Sequence, residues 1–335
     1  MTASPGPSVG RVLPAAGQTI PRLGFGCAGL GNLYAPVSEA DAAAALAAAW
    51  DGGARYFDTA PYYGHGLSEQ RLGAFLAAAP RPGVLVSSKV GRSLRPTGAR
   101  PPPDTGFIGA APFEPYFDYG RDAVLRQVEA SLTRLGTDRL DLAFVHDLGV
   151  LTHGSAHEGR FAEALAGAFP ALRSLKDQGV VRAIGVGVNE VAVCLQTLER
   201  VDLDVILLAG RYTLLDPSGG EVLLPLCRAR GVGVIIGGPY NSGVLAGGDH
   251  YDYAAAPPAV TGKVARLKAV CAAHEVDLAA AALHFPLLHP AVTSVIPGAR
   301  NAAEARLNIA HLEAPPPDAL WRALRAEGLI PRAAA

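Results

Sequence analysis

The strongest constraint on how this chain folds is an alternation: a short apolar run, a turn, then a helical stretch, eight times over. Strand-like runs are read at 23–26, 55–57, 84–89, 140–146, 183–186, 205–208, 232–236 and 294–296. Helical stretches follow at 38–52, 68–79, 121–135, 162–178, 189–199, 220–230, 262–274 and 301–309. Several end in the glycine expected of a left-handed C-terminal stop, as in Leu135-Gly136, Gln178-Gly179 and Arg230-Gly231. Strands such as Val232-Gly-Val-Ile-Ile236 are apolar on both faces, as parallel strands are between a filled interior and a helical layer. The pattern predicts an α/β fold, a single (β/α)8 TIM barrel over residues 11–335 after a flexible tail at 1–10. An open doubly wound sheet is the alternative architecture.

Composition enters as a set of exclusions. A chain of 335 residues leaves room for two domains, but barrels take about 250 residues or more as one. The 29 Lys+Arg and 30 Asp+Glu are interspersed and leave a net charge of -1, so no nucleic-acid partner is expected. Cys27, Cys194, Cys227 and Cys271 lie far apart without paired metal-ligand spacing and read as reduced, buried thiols. The first ten residues lack a signal-peptide pattern, and no apolar run is long enough for a bilayer. The expectation is a soluble, cytoplasmic protein with no membrane partner; oligomeric state is not legible.

Two connections exceed what structure alone requires. Residues 91–120, after the third strand, carry Phe107, Phe113, Tyr116, Phe117 and Tyr119; residues 237–260, after the seventh, carry Tyr240, Tyr251 and Tyr253. Structureless loops beyond about 12–15 residues are uncommon and often functional. Both leave the strand ends where barrels keep their active sites, so a substrate pocket is expected there. Gly24-Phe-Gly26-Cys-Ala-Gly29 fits the dinucleotide pattern G-x-G-x-x-G, but no helix opens inside it, and a Rossmann reading is set aside.

Chemistry concentrates at the ends of three adjacent strands. Asp58 ends the second in Arg55-Tyr-Phe-Asp58-Thr-Ala-Pro-Tyr-Tyr63-Gly64, with Tyr63 in the loop beyond; Lys89 ends the third and His146 the fourth. Singly each has a bland structural role; in register they converge on one patch. The segments Phe57-Asp-Thr-Ala-Pro-Tyr-Tyr63-Gly, Ser-Ser-Lys89-Val-Gly, Ser131-Leu-Thr-Arg-Leu-Gly-Thr-Asp-Arg-Leu-Asp141 and Val295-Ile-Pro297-Gly298-Ala-Arg300 resemble the signature regions of the aldo-keto reductase family. The resemblance implies a barrel binding NAD(P) without a Rossmann domain, with a catalytic tetrad of Asp58, Tyr63, Lys89 and His146. A nicotinamide carries only the hydride, so the protein must handle a proton. Tyr63, with Tyr62 as its competitor, is the expected carrier, its phenol lowered by the Lys89 ammonium. Asp58 would hold Lys89, and His146 would orient the substrate oxygen.

The same resemblance implies cofactor contacts at Gly26, Cys27, Asp58, Asn189, Gly237, Tyr240, Asn241, Ser242, Gly243, Leu245, Gly298, Arg300, Glu304 and Asn308. Gly237 stands where the family has a ring-stacking aromatic, and Tyr240 is its expected substitute. Glu304 beside the adenosine ribose argues for NAD over NADP, while Arg300 argues the other way. Substrate contacts are expected at Tyr63, His146, Asp147, Phe117 and Tyr119. Asn189-Glu190, Ala-Gly-Arg211-Tyr212 and Tyr119-Gly-Arg121-Asp122 look most like sugar and vitamin-B6 dehydrogenases, D-threo-aldose 1-dehydrogenases and pyridoxal 4-dehydrogenase among them. The expected reaction is oxidation of an aldose such as L-fucose or D-galactose at C1 to the lactone. Alternatives are pyridoxal oxidation, broad NADPH-dependent aldehyde reduction, or a redox-sensing subunit that binds cofactor without turnover. A metal site from His146, Asp147, His153 and His157 is weighed, and no metal is expected.

Overall fold

Eight parallel strands carry the fold in the computed structural model, which describes residues 10–13, 17–78, 80 and 82–332. They are β1 (Phe25–Gly26), β2 (Tyr56–Asp58), β3 (Leu85–Val90), β4 (Leu140–His146), β5 (Val181–Val188), β6 (Val205–Ala209), β7 (Gly233–Gly237) and β8 (Val292–Ile296). Each pairs in parallel with the next in chain order. Bridges from Leu23 to Val295 and from Gly26 to Gly298 return the last strand to the first, and the sheet is a (β/α)8 barrel. The expected tail lies outside the described residues except for Gly10.

Strand periodicity decides which side chains face the barrel axis. Tyr56, Leu85, Leu142 and Phe144 belong to the inner cluster, while Phe57, Val86, Ala143 and Val145 pack in the layer beneath the helices. A two-residue repeat continues that inner row to Asp58, Lys89 and His146 at the C-terminal ends of β2, β3 and β4. At the opposite end, the hairpin Arg11–Leu13 with Gln18–Ile20 contributes Leu13 and Ile20 to the inner cluster, and Arg11 donates to the carbonyls of His289 and Val292.

The helices follow the expected pattern, with corrections. Arg121–Leu135 has the predicted bounds, and Glu39–Asp51 is capped by the Ser38 side chain. The single helix expected over 162–178 is two, His157–Ala166 and Ala168–Asp177. They break at Gly167, where a Cβ would come within 2.5 Å of the Tyr119 carbonyl oxygen. The helix Leu278–Leu287, absent from the sequence expectation, is buried at every position from Ala279 to Leu287 and so shows no amphipathic period. The two long connections are not structureless either. Arg92–Pro96 pairs with Phe113–Phe117 in the first, and His250–Tyr251 with Ala254–Ala255 in the second.

One backbone contact sets the position of Tyr63. It opens a tight turn, Tyr63–Gly66, in which Gly64 takes a φ of 62°. Gly31, in the loop after β1, lies against that turn so closely that a Cβ would sit 2.6 Å from both the Gly64 nitrogen and the Tyr63 carbonyl carbon. Neither partner is a side chain that can swing away. Gly31→Ala is therefore expected to displace Tyr63 and lower kcat/KM by about tenfold or more, with about 1–3 kcal/mol lost in chemical unfolding. Gly159→Ala, in a helix with open space around it, is the control and should leave both unchanged or gain slightly in stability.

Candidate active site

Asp58 and Lys89 form a buried ion pair at the base of the site. Lys89 Nζ donates to Asp58 Oδ2 at 2.6 Å and to the Thr59 carbonyl at 2.8 Å. The other Asp58 oxygen accepts from Ser87 Oγ at 2.6 Å, and Ser87 in turn meets the Tyr56 hydroxyl at 2.9 Å. Parallel register places Asp58 beside Ser87, so the carboxylate is satisfied by its neighbouring strand. Both side chains are almost wholly buried, and a pair of this kind persists only when its remaining hydrogen bonds are made.

Tyr63 lies over that pair, with Lys89 Nζ 4.7 Å from its ring centroid. Burial, followed by the Asp58 carboxylate, pushes the phenol well above the ordinary tyrosine range. The expectation that Lys89 lowers it is not met: the ammonium is committed to Asp58 and Thr59, and desolvation of the phenolate wins. Tyr62 also stands near His146, at 6.4 Å between ring centroids, but its ring carries the Arg92 guanidinium at 3.8 Å and meets Phe107 at 5.3 Å, whereas Tyr63 is the one placed over Lys89.

His146 completes the group, its ring centroid 6.0 Å from that of Tyr63. Its pKa falls to about 3, chiefly through burial, with Lys89 and Arg92 adding to the effect and Asp147 opposing it. The imidazole is neutral at physiological pH. Its Nδ1 is buried without a hydrogen-bond partner. An orphaned N–H costs more than an orphaned lone pair, so the proton belongs on Nε2, which faces Asp147 Oδ2 at 3.5 Å. Burial works to raise the Asp147 carboxyl, but His146, Arg92 and Lys89 outweigh it and hold it below the usual carboxylate range.

These groups open into a cavity of about 550 Å³ lined by Tyr62, Tyr63, Lys89, Arg92, Phe107, His146, Asp147, Asn189 and Arg211, among others. Its roof comes from several loops. His250 stacks on Tyr34 at 4.8 Å, Arg211 donates to Asp252 at 2.9 Å, and the Asn189 amide donates to the Tyr253 hydroxyl at 3.4 Å. Phe117 and Tyr119, expected against substrate, stand behind the wall. The Tyr119 hydroxyl donates to the His146 carbonyl at 2.8 Å, and Phe117 backs the Arg92 guanidinium at 4.5 Å. Tyr253, one of the aromatics expected at a pocket after the seventh strand, lines the cavity; Arg92 and Arg211 line it too and were missing from the sequence expectation, their only signal being their position in loops after strand ends.

Most of the residues expected to hold the cofactor lie at the ends of β1, β7 and β8 and in the segments that follow them. Gly26 bridges Gly298, the Asn308 amide donates to the Gly298 carbonyl at 3.1 Å, and the Tyr240 hydroxyl donates to Asn308 at 2.7 Å. Tyr240 is thereby tied to the helix after β8 and is not among the residues lining the cavity. Asn241, Ser242 and Gly243 share a left-handed turn, and Leu245 and Cys27 are buried in the core. Asn189 and Gly187 line the cavity at the end of β5, and Gly237 ends β7 in register with the cavity-lining Ala209. His153 and His157 do not converge: His153 meets the Tyr119 hydroxyl at 2.9 Å, and His157 meets the Leu148 carbonyl and Gln196.

Residues 22–326 match the Aldo/keto reductase family. Pyridoxal 4-dehydrogenase of Microbacterium luteolum is 43% identical over 333 residues, covering 96% of this chain and 97% of that protein. D-threo-aldose 1-dehydrogenase of a Pseudomonas species is 39% identical over 326 residues, covering 95% and 97%. Among solved structures, a holo-form aldo-keto reductase from Bacillus halodurans shares the fold, with a TM-score of 0.74 over 97% of each chain at 24% identity. The chain belongs to the aldo/keto reductase family of NAD(P)-dependent oxidoreductases.

Proposed function

We propose that the chain oxidises the cyclic hemiacetal of an aldose, such as L-fucose or D-galactose, at C1 to the lactone. The observation that carries this is the approach of Tyr63 and a neutral His146 above the Asp58–Lys89 pair, inside a cavity whose wall is rich in hydrogen-bonding groups. Nicotinamide supplies or accepts the hydride. Tyr63 takes the anomeric hydroxyl proton in oxidation and returns it in reduction, while His146 Nε2–H donates to the same oxygen. A second reading, oxidation of pyridoxal as its cyclic hemiacetal, is favoured by the aromatic wall of Tyr34, Tyr62 and Phe107 and by the 43% relative named for it. Initial rates with L-fucose, D-galactose, pyridoxal and simple aldehydes separate these readings. Activity confined to simple aldehydes would overturn both.

Tyr63→Phe is expected to reduce turnover by about 10³-fold while cofactor Kd stays near wild type, read by fluorescence titration. Turnover within a few fold of wild type would remove Tyr63 from the role. The raised phenol also fixes a pH sign. Burial keeps Tyr63 protonated through neutral pH, the form that donates in reduction. Oxidation needs the phenolate, so kcat/KM for oxidation should climb with pH through 7 to 10 while reduction stays flat or falls. An oxidation profile that is flat over that range would show that Tyr63 does not titrate in the reaction.

The described residues fit a dinucleotide. Gly187, next to the end of β5, and Ala209 and Gly237, which end β6 and β7, carry at most a methyl group and leave space for a flat ring. Asn241 Oδ1 is a buried acceptor with no partner, available to a ligand donor. The preference for NAD rests on Glu304, which accepts from the Arg300 backbone N–H at 2.8 Å and from its Nη2 at 2.9 Å. The donors that would hold a ribose phosphate are thus already occupied, and a carboxylate stands beside them. Glu304→Ala should raise the NADP-to-NAD ratio of kcat/KM by about tenfold, the scale of one charge-assisted hydrogen bond. An unchanged ratio would remove Glu304 as its determinant.

A further inference from the structure

Arg92 has no role in the reaction as derived so far, yet its guanidinium is firmly held on the cavity wall. Its plane lies between two rings, 3.8 Å from the centroid of Tyr62 and 4.5 Å from that of Phe117. One edge is spent on Asp147, with Nε at 3.0 Å and Nη2 at 2.6 Å from the same oxygen, Oδ2. The aromatic sandwich fixes the plane and the carboxylate fixes its rotation, so little freedom remains to be lost when a ligand binds.

That geometry leaves two atoms over. Arg92 Nη1 and Asp147 Oδ1 make no hydrogen bond among the described residues, and neither is sealed from solvent. Both residues line the cavity. One atom is a donor and the other an acceptor, and because the pair is internally neutral it favours an uncharged hydroxyl over an anion. Its place relative to the chemistry is equally defined. Asp147 Oδ2 lies 3.5 Å from His146 Nε2, the atom given the reacting oxygen in the function proposed above. Oxygens on adjacent carbons are themselves roughly a hydrogen-bond length apart.

We propose that Arg92 and Asp147 form a subsite that recognises a hydroxyl on the carbon next to the reacting carbon, Arg92 Nη1 donating to it and Asp147 Oδ1 accepting from it. The pair makes the site selective for 2-hydroxy carbonyl compounds and their hemiacetals. For the aldose this hydroxyl is the one on C2, and to that extent the subsite rests on the function proposed above. Arg92 is a specificity-determining residue here, and Asp147 serves both substrate and His146.

The test deletes the hydroxyl from the substrate and the donor from the protein. Wild-type kcat/KM is measured for an aldose and its 2-deoxy analogue in oxidation, and for glyceraldehyde and 3-hydroxypropanal in reduction. The hydroxylated member should be preferred by at least about tenfold, the worth of one hydrogen bond to a charged group. In Arg92→Met the preference should collapse to within about threefold of unity, and in Arg92→Lys it should be only partly kept. A purely structural Arg92 would lower both members alike and leave the ratio intact, which overturns the proposal. Equal use of both members by the wild type overturns it as well. If no aldose is oxidised but the preference for glyceraldehyde collapses in Arg92→Met, the aldose reading fails and the hydroxyl subsite stands.

Discussion

The buried pair of Asp58 and Lys89 is the interaction on which the rest of the site depends. Two charges taken out of water inside a barrel are not an economical source of stability, since well-packed apolar residues of the same volume commonly do as well or better. Here they are held by strand register. Asp58 stands opposite Ser87, whose hydroxyl bonds one carboxylate oxygen and leaves the other for Lys89. A slip of one residue between β2 and β3 would turn these side chains toward the helices and strand both charges. The pair therefore ties the accuracy of the sheet to the accuracy of the site, and Tyr63 inherits its electrostatic surroundings from it.

The roof above the pair is built from interactions that no single loop contains. Tyr34 comes from the loop after β1, Asn189 from the end of β5, and Arg211 from beyond β6; their partners His250, Tyr253 and Asp252 come from the loop after β7. Each contact joins segments far apart in the chain. Together they narrow the exit of the cavity, and a site shielded in this way makes every remaining charge and dipole count for more than it would in open water. The neutrality of His146 follows from the same cause, because burial outweighs the neighbouring Asp147 carboxylate.

How much of this was legible in the sequence follows from what each residue's signal depends on. The barrel and the positions of Asp58, Lys89 and His146 could be read because parallel strands buried on both faces appear as apolar runs, and a polar residue ending such a run stands out. Leu278–Leu287 could not, because a helix buried all round has no polar face to give it a period. The break at Gly167 falls where the Tyr119 backbone passes too close to admit a Cβ, a fact of tertiary packing. Tyr119 left its expected place for a related reason. An aromatic residue in a long loop suggests a pocket wall, but the hairpin of Arg92–Pro96 and Phe113–Phe117 puts Arg92 on the cavity wall and carries the chain that follows it, with Tyr119, behind that wall. The pairing of Arg300 with Glu304 at i, i+4 was visible as spacing, whereas its occupation of the backbone N–H was not.

The same pairing logic governs the cavity as a whole. Its three cationic side chains each meet a carboxylate: Lys89 with Asp58, Arg92 with Asp147, Arg211 with Asp252. Glu190, also on the wall, has no cation among these and directs one oxygen to the Leu151 backbone N–H. A phosphorylated or carboxylated substrate would therefore meet no unmatched positive charge there and would have to displace a carboxylate to gain one. An uncharged polyol loses far less on leaving water and finds donors and acceptors already fixed in direction. The charge that such a cavity offers a ligand thus depends on how its cations are paired, and their number alone does not report it.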